Sequence, residues 1–210
     1  MPSSIKSLLF LSSYVLSIAC SAQEFEAELK DAIHARPRIE ARFDSRTSFI
    51  NQTGVRVSGF KLGVQFDNKL SFGLGYNYLG SKLRRYIEAE GTSYFVRLRF
   101  NVISPYLEYI FYRDKRWELS IPVQFGFGES YYSNENELGP NRFEEGFVMT
   151  YEPAITFQYR FLSYFGAGMG VGYRLMVVPN RGIEENFTSP VYIFKVKLYF
   201  QDILSDIKGD

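Results

Sequence analysis

From Trp117 to Phe127 every odd-numbered residue is large and apolar, while Glu118, Ser120, Pro122, Gln124 and Gly126 fill the even positions. A period of two places the two sets on opposite faces of a β-strand. Leu119, Ile121, Val123 and Phe125 are therefore expected on one face, with Glu118 and Gln124 on the other. The alternation recurs along most of the chain and predicts strands over 54–66, 70–79, 93–112, 116–132, 145–161, 164–178 and 189–201. An eighth, over 36–50, sets Ile39, Ala41, Phe43 and Phe49 against Arg38, Glu40, Arg42, Asp44 and Arg46. In the segment 93–112, Val96, Leu98 and Phe100 alternate with Arg97, Arg99 and Asn101, but the phase is expected to slip near Ile103-Ser104-Pro105, with a bulge there.

The connections fall into two classes. Asp67-Asn68-Lys69, Arg113-Asp114-Lys115 and Leu162-Ser163 read as tight turns, whereas 80–92, 133–144 and 179–188 read as longer polar loops. Short and long connections alternate, as they do in a bacterial outer-membrane barrel, whose strand number is even and whose chain ends lie in the periplasm.

Which face points inward decides the class. The apolar face carries bulky residues such as Phe60, Phe72, Tyr76, Phe157, Phe194, Val196, Leu198 and Phe200. The opposite face carries charges thinned by Gly59, Gly63, Gly73, Gly75, Gly126, Gly166, Gly168 and Gly170. An eight-stranded barrel has a lumen just wide enough to be filled by side chains. The aromatic face would overfill it but suits lipid, while glycine makes room for long charged chains. Aromatic residues also gather at both strand ends, including Trp117 and Tyr164 near the turns and Tyr78, Tyr94, Tyr131 and Tyr132 near the loops, as interfacial girdles do. The expected fold is all-β: an eight-stranded, antiparallel, up-and-down transmembrane β-barrel with a cleaved signal peptide. A soluble ligand-binding barrel would need the faces reversed.

Composition is consistent with this. The mean hydropathy of −0.15 is near neutral because alternate positions cancel, and a net charge of +1 gives no reason to expect nucleic acid. Residues 1–22 read as a signal peptide, with Lys6 before an apolar stretch from Leu8 to Ala19 and cleavage after Ala22; lipidation at Cys20 is the alternative. Cys20 is the only cysteine, so the mature chain has no thiol for catalysis or a metal. Residues 23–35 form a periplasmic segment with a short amphipathic helix (Phe25, Leu29, Ala32 and Ile33 on one side), 36–201 the barrel, and 202–210 a tail. Beyond the signal no apolar run reaches 18 residues, so no helical span is expected.

The whole of 36–200 resembles the small outer-membrane β-barrel family, of OmpX/OmpA type and the PorT-like barrels of Gram-negative bacteria. The resemblance is carried by the architecture, by Ser21-Ala22-Gln23, by Gly-Leu-Gly-Tyr at 73–76 and Phe-Gly-Phe-Gly at 125–128, and by the last strand's alternation up to Phe200. It implies membrane anchoring, with roles from adhesion to secretion accessory, and supplies no catalytic residues.

The candidate constellation is lumenal. Arg38, Glu40, Arg42, Asp44, Arg46, Lys61, Arg97, Arg99, Glu108, Glu118, Glu152, Arg160, Arg174, Lys195 and Lys197 are expected to form a charge network inside the barrel. In a dry lumen these charges must pair and plug it; in an aqueous passage the basic ones would favour anions. His34 is the only histidine and precedes the first strand, so nucleophile–base chemistry at the outer rim lacks its base. The glycines of 166–172 fit no nucleotide-binding spacing. The expected function is non-enzymatic and cofactor-free: envelope integrity, adhesion or a secretion accessory. The expected partners are outer-membrane lipid and, through loops 80–92, 133–144 and 179–188, envelope or extracellular proteins.

Overall fold

The computed structural model describes Lys30 and residues 33–50, 53–89, 91–134 and 142–200. The signal peptide, most of the expected helix over 24–35, the segment 135–141 and the tail 202–210 lie outside the described residues. Nine strands run through the rest: β1 (Arg38–Ile50), β2 (Thr53–Phe66), β3 (Leu70–Leu79), β4 (Arg84–Ala89), β5 (Thr92–Arg113), β6 (Trp117–Asn134), β7 (Arg142–Arg160), β8 (Phe165–Val178) and β9 (Ser189–Tyr199). All pair antiparallel in the order β3-β2-β1-β9-β8-β7-β6-β5-β4, and a further β3–β5 pairing closes a ring of eight. The turn after β2 is tight because Asp67 and Asn68 both take positive φ, which these two residues tolerate, and Lys69 N–H donates to Phe66 O at 2.9 Å.

The ninth strand lies where a polar loop was expected. β3 pairs with β5 up to Tyr78↔Asn101, and β4 resumes the pairing from Arg84↔Arg97 to Ala89↔Thr92. Segment 80–92 thus folds back as a hairpin that lengthens the wall of β5. Gly91 takes φ +76 at its return, a conformation that favours glycine.

No bulge occurs at Pro105. The ladder to β6 pauses between Ile103 and Tyr106 and resumes in the same register; the shift comes later, between Ile110 and Tyr112. Even-numbered residues of β5 face inward without interruption from Val96 through Ser104 and Glu108 to Ile110. What changes along β5 is the chemistry of the interior. Toward the tight-turn end the inward residues include Ser104, Tyr106 and Glu108; toward the loop end they are Val96, Leu98, Phe100 and Val102. Arg97 and Arg99 consequently stand on the outer wall, where they are half-buried, and belong to no lumenal network. A charge there meets water, because the wall at that height has risen above the apolar belt.

That belt is well defined. On β6 it runs from Trp117 to Phe127 and ends at Glu129, which pairs with Asn101 of β5 and Phe147 of β7. Eleven residues span about 36 Å along a strand, or about 28 Å along the barrel axis at the usual tilt of about 40°. This matches the apolar band of about 25 Å expected of a barrel in a bilayer. Ile121, Phe125 and Phe194 are exposed on this outer face, and Leu119, Val123, Val196 and Leu198 are half-buried along it. Phe200 lies one residue beyond β9 and is half-buried.

Candidate functional site: a sealed lumen

The lower lumen is built on β1, whose even positions all point inward. Glu40, Arg42, Asp44 and Arg46 project from it at two-residue intervals and are at most 4% exposed. Lys61 from β2, Glu108 from β5, Glu118 from β6, Glu152 from β7, Arg174 from β8, and Lys195 and Lys197 from β9 complete the set, all buried. The pairs reach across the barrel. Arg42 bridges Glu40 and Glu108. Arg46 holds Asp44 at 2.7 Å and Glu152 at 3.0 Å, and Lys61 meets Asp44 from the other side at 2.9 Å. Arg174 donates to Glu152 at 2.8 Å, Lys195 to Glu108 at 3.0 Å, and Lys197 to Glu40 at 2.8 Å with Glu118 at 3.5 Å. Six buried cations thus face five buried carboxylates, each in at least one ion pair.

Two of the expected members sit at the rim instead. Arg38 is exposed at the start of β1, 3.4 Å from the Asn68 carboxamide oxygen. Arg160, at the end of β7, lies over the Tyr199 ring at 4.5 Å and donates to the Ser163 carbonyl. Both belong to the turn end, where strands run out and water enters.

Glycine supplies the room the long side chains occupy. A Cβ on Gly75 would lie 2.7 Å from Lys61 Cγ, and one on Gly63 would strike the Tyr106 hydroxyl. Tyr106 fills that space, with its ring 5.0 Å from the Lys61 ammonium and its hydroxyl donating to Glu40 at 3.2 Å.

Above the charges lies a feature that sequence alternation did not disclose. Ile50, Val55, Val57, Leu79, Val96, Leu98, Phe100, Val102, Tyr132 and Val148 form an apolar core across the lumen, joined by Ile183 and Phe187. These last two come from loop 179–188, expected to point outward but folded over the mouth. Phe187 is 2% exposed. Tyr132, expected in the outer girdle, is turned in as well. The loop is clasped at two points. Asn180 donates to the Ser130 and Glu144 carbonyls at 2.9 and 2.7 Å, and Arg85 of β4 pairs with Glu184 at 2.9 Å and Glu185 at 3.5 Å. Tyr132 donates to Glu185. The bond to Glu184 holds the Arg85 guanidinium above its ordinary pKa. A hint was available: Ile183 and Phe187 are the large apolar residues of an otherwise polar loop.

Charges inside and aromatics outside invert the plan of a water-soluble barrel. The fold is that of a small outer-membrane β-barrel. The solved structure of Neisserial surface protein A superimposes on 78% of this chain and 97% of its own with a TM-score of 0.51 at 10% identity. The N-terminal barrel domain of Pseudomonas aeruginosa OprF (TM-score 0.45, 10% identity, 78% and 98% covered) and the attachment invasion locus protein Ail of Yersinia pestis (0.46, 11%, 78% and 96%) are similar at lower scores. No protein-family model and no curated protein matches the chain. Among the described residues no cluster of His, Cys, Asp and Glu could hold a metal ion, and the buried carboxylates are consumed by ion pairs.

Proposed function

We infer that this chain is a non-enzymatic, non-conducting protein of a bacterial outer membrane. It stands with its tight turns in the periplasm and displays its loop end to the outside. The rim formed by the β4–β5 hairpin and loops 133–144 and 179–188 would carry adhesion or accessory contacts with envelope or extracellular proteins. The observation that carries the reading is the double seal, an ion-paired lumen below and an apolar plug of Ile183 and Phe187 above. A charge-lined passage needs water beside its charges, and here each lumenal charge is buried against an opposite one.

Planar-bilayer recording of the refolded protein tests this directly. Silence is the expected result, with outer-membrane fractionation and heat-modifiable gel mobility reporting insertion. Discrete conductance steps whose ion preference shifts on Arg42→Ala or Lys195→Ala would establish the narrow anion channel instead. Recovery as a soluble periplasmic monomer would sink both readings.

A further inference from the structure

The plug and the cup it fills are held in different ways. Val55, Val57, Val96, Leu98, Val102 and Val148 of the cup stand on strands, fixed by the ladders of the ring. Ile183 and Phe187 have no such anchor. Among the described residues no backbone–backbone hydrogen bond joins 180–188 to the wall. The loop closes on itself instead. Ile183 N–H donates to Asn180 O at 3.4 Å, Gly182 N–H to Asn180 Oδ1 at 3.0 Å, and Thr188 N–H to Asn186 Oδ1 at 2.9 Å. Its turns do not depend on the barrel.

Side chains tie this cap to the wall. The two apolar residues enter the cup, Asn180 reaches the Ser130 and Glu144 carbonyls, and the Thr188 hydroxyl accepts from Met176 N–H at 3.1 Å. The Arg85–Glu184 pair is 36% and 76% exposed, so water and salt screen it. The fit is incomplete: a cavity of about 350 Å³, lined in part by Ser130, Met176, Ile183, Phe187 and Thr188, remains between cap and wall. Beneath the plug the cup ends at Phe100, whose ring lies 6.0 Å from the Arg174 guanidinium of the ion-paired lumen. An apolar cup fixed by strands, under a cap with its own shape and a latch in water, is a binding site closed by two side chains of its own protein.

We propose that the upper lumen binds one small, uncharged, one- or two-ring apolar molecule, which takes the places of Ile183 and Phe187 when the cap 179–188 lifts. The cup would give it aliphatic and aromatic contact, and the Tyr132 hydroxyl, released from Glu185 on opening, one hydrogen bond. A charged occupant would enter a wall of buried aliphatic residues with nothing to pair it. Such a ligand meets only the open form, so its apparent affinity rises with the fraction of protein that is open. Loosening the latch must then tighten binding, the reverse of what a residue holding the ligand would do. Cup binding goes beyond the sealed-barrel reading: occupancy and conductance are measured separately, and either can fail alone.

The test uses the full chain refolded into phospholipid nanodiscs, with indole, uncharged at neutral pH, as the probe. Intermolecular NOEs from indole should reach the methyls of Val96, Leu98 and Val102 inside the cup, and hydrogen exchange of 179–188 should quicken as indole is added. Arg85→Gln should tighten apparent binding about two- to fivefold, the range that one exposed ion pair supports. The cap can also be locked. A Cβ on Gly182 would lie 3.1 Å from Glu144 Cβ, close to the separation of about 3.5–4.5 Å that a disulfide spans, and Cys20, the only native cysteine, lies in the expected signal peptide. Oxidised Glu144→Cys/Gly182→Cys should lose the cup NOEs and regain them on reduction, with partition into the surrounding lipid the same in both states. Absence of cup NOEs from the wild type at saturating indole, with contacts only to outer-wall residues such as Leu74 and Val171, overturns the site without relying on any variant. Slower exchange of 179–188 with indole, or weaker binding by Arg85→Gln, overturns the displacement of the cap. Equal cup NOEs in the locked and reduced protein do the same.

Discussion

Phe187, from the connection between β8 and β9, stacks on Phe100 of β5 with ring centroids 4.8 Å apart and 24° between their planes. The contact ties a surface loop to the far wall of the barrel through an apolar core. Phe187→Ala should cost the cap about 3 kcal/mol, the usual loss for a buried phenylalanine. Hydrogen exchange and limited proteolysis of 179–188 would read this as faster opening, with the barrel's heat-modifiable mobility unchanged. Unaltered protection would show that the stack does not hold the loop.

Glu152 joins two guanidinium groups, Arg46 at 3.0 Å and Arg174 at 2.8 Å. Glu152→Ala would leave both cations buried beside no carboxylate from β7. The expected cost is about 3–5 kcal/mol, measured by urea unfolding of the refolded barrel. The double substitution Glu152→Gln with Arg174→Gln should recover much of it, since neither leaves a lone charge. A single-variant loss under about 1 kcal/mol would mean that water reaches this level of the lumen.

The outer wall offers a matched pair of positions on β6. Ile121 lies near the middle of the belt and Glu129 just past its end. Ile121→Arg should impair folding into vesicles by about 2–4 kcal/mol, whereas Glu129→Arg should cost about 0–1 kcal/mol. Equal effects at the two positions would remove the belt's boundary.

Tyr132 stands above the belt, where burial and then the hydrogen bond its hydroxyl donates to the Glu185 carboxylate raise the phenol above its ordinary value of about 10. A value higher in the folded than in the unfolded chain means that the bound proton stabilises the closed cap. That contribution is whole below about pH 10 and is lost as pH rises through the folded-state value. Protection of loop 179–188 should therefore stay level from neutral pH to about 10 and fall above it, and Tyr132→Phe should abolish the dependence. A decline that begins near neutrality would assign the effect to another group.

The strands and their inner and outer faces were legible because period-two alternation is a direct record of the pleat. β1 shows this plainly: Glu40 to Arg46 face inward in sequence order. The upper half of β5 departs from that expectation for a physical reason. Val96, Leu98 and Phe100 look like lipid-facing residues, so alternation alone puts Arg97 and Arg99 in the lumen and requires a slip near Pro105. The phase is constant; it is the surroundings that change. A strand needs about 9–11 residues to cross a bilayer, and β5 has 22, so half of it obeys the rules of a soluble protein. Length carried the warning, alternation did not. The seating of Ile183 and Phe187 was hidden for a different reason: a loop's inward residues follow no period, and only the tertiary fold gives them a core to enter.

The position of the plug along the chain has a consequence for biogenesis. Strands β1 to β3 and β5 to β7 build the apolar cup, but the residues that fill it lie between the last two strands, and the ring closes only when β9 pairs with both β1 and β8. Sealing the mouth and completing the barrel are thus one event. A chain stalled before its last strand exposes an empty greasy cup, a visible mark by which unfinished copies differ from finished ones.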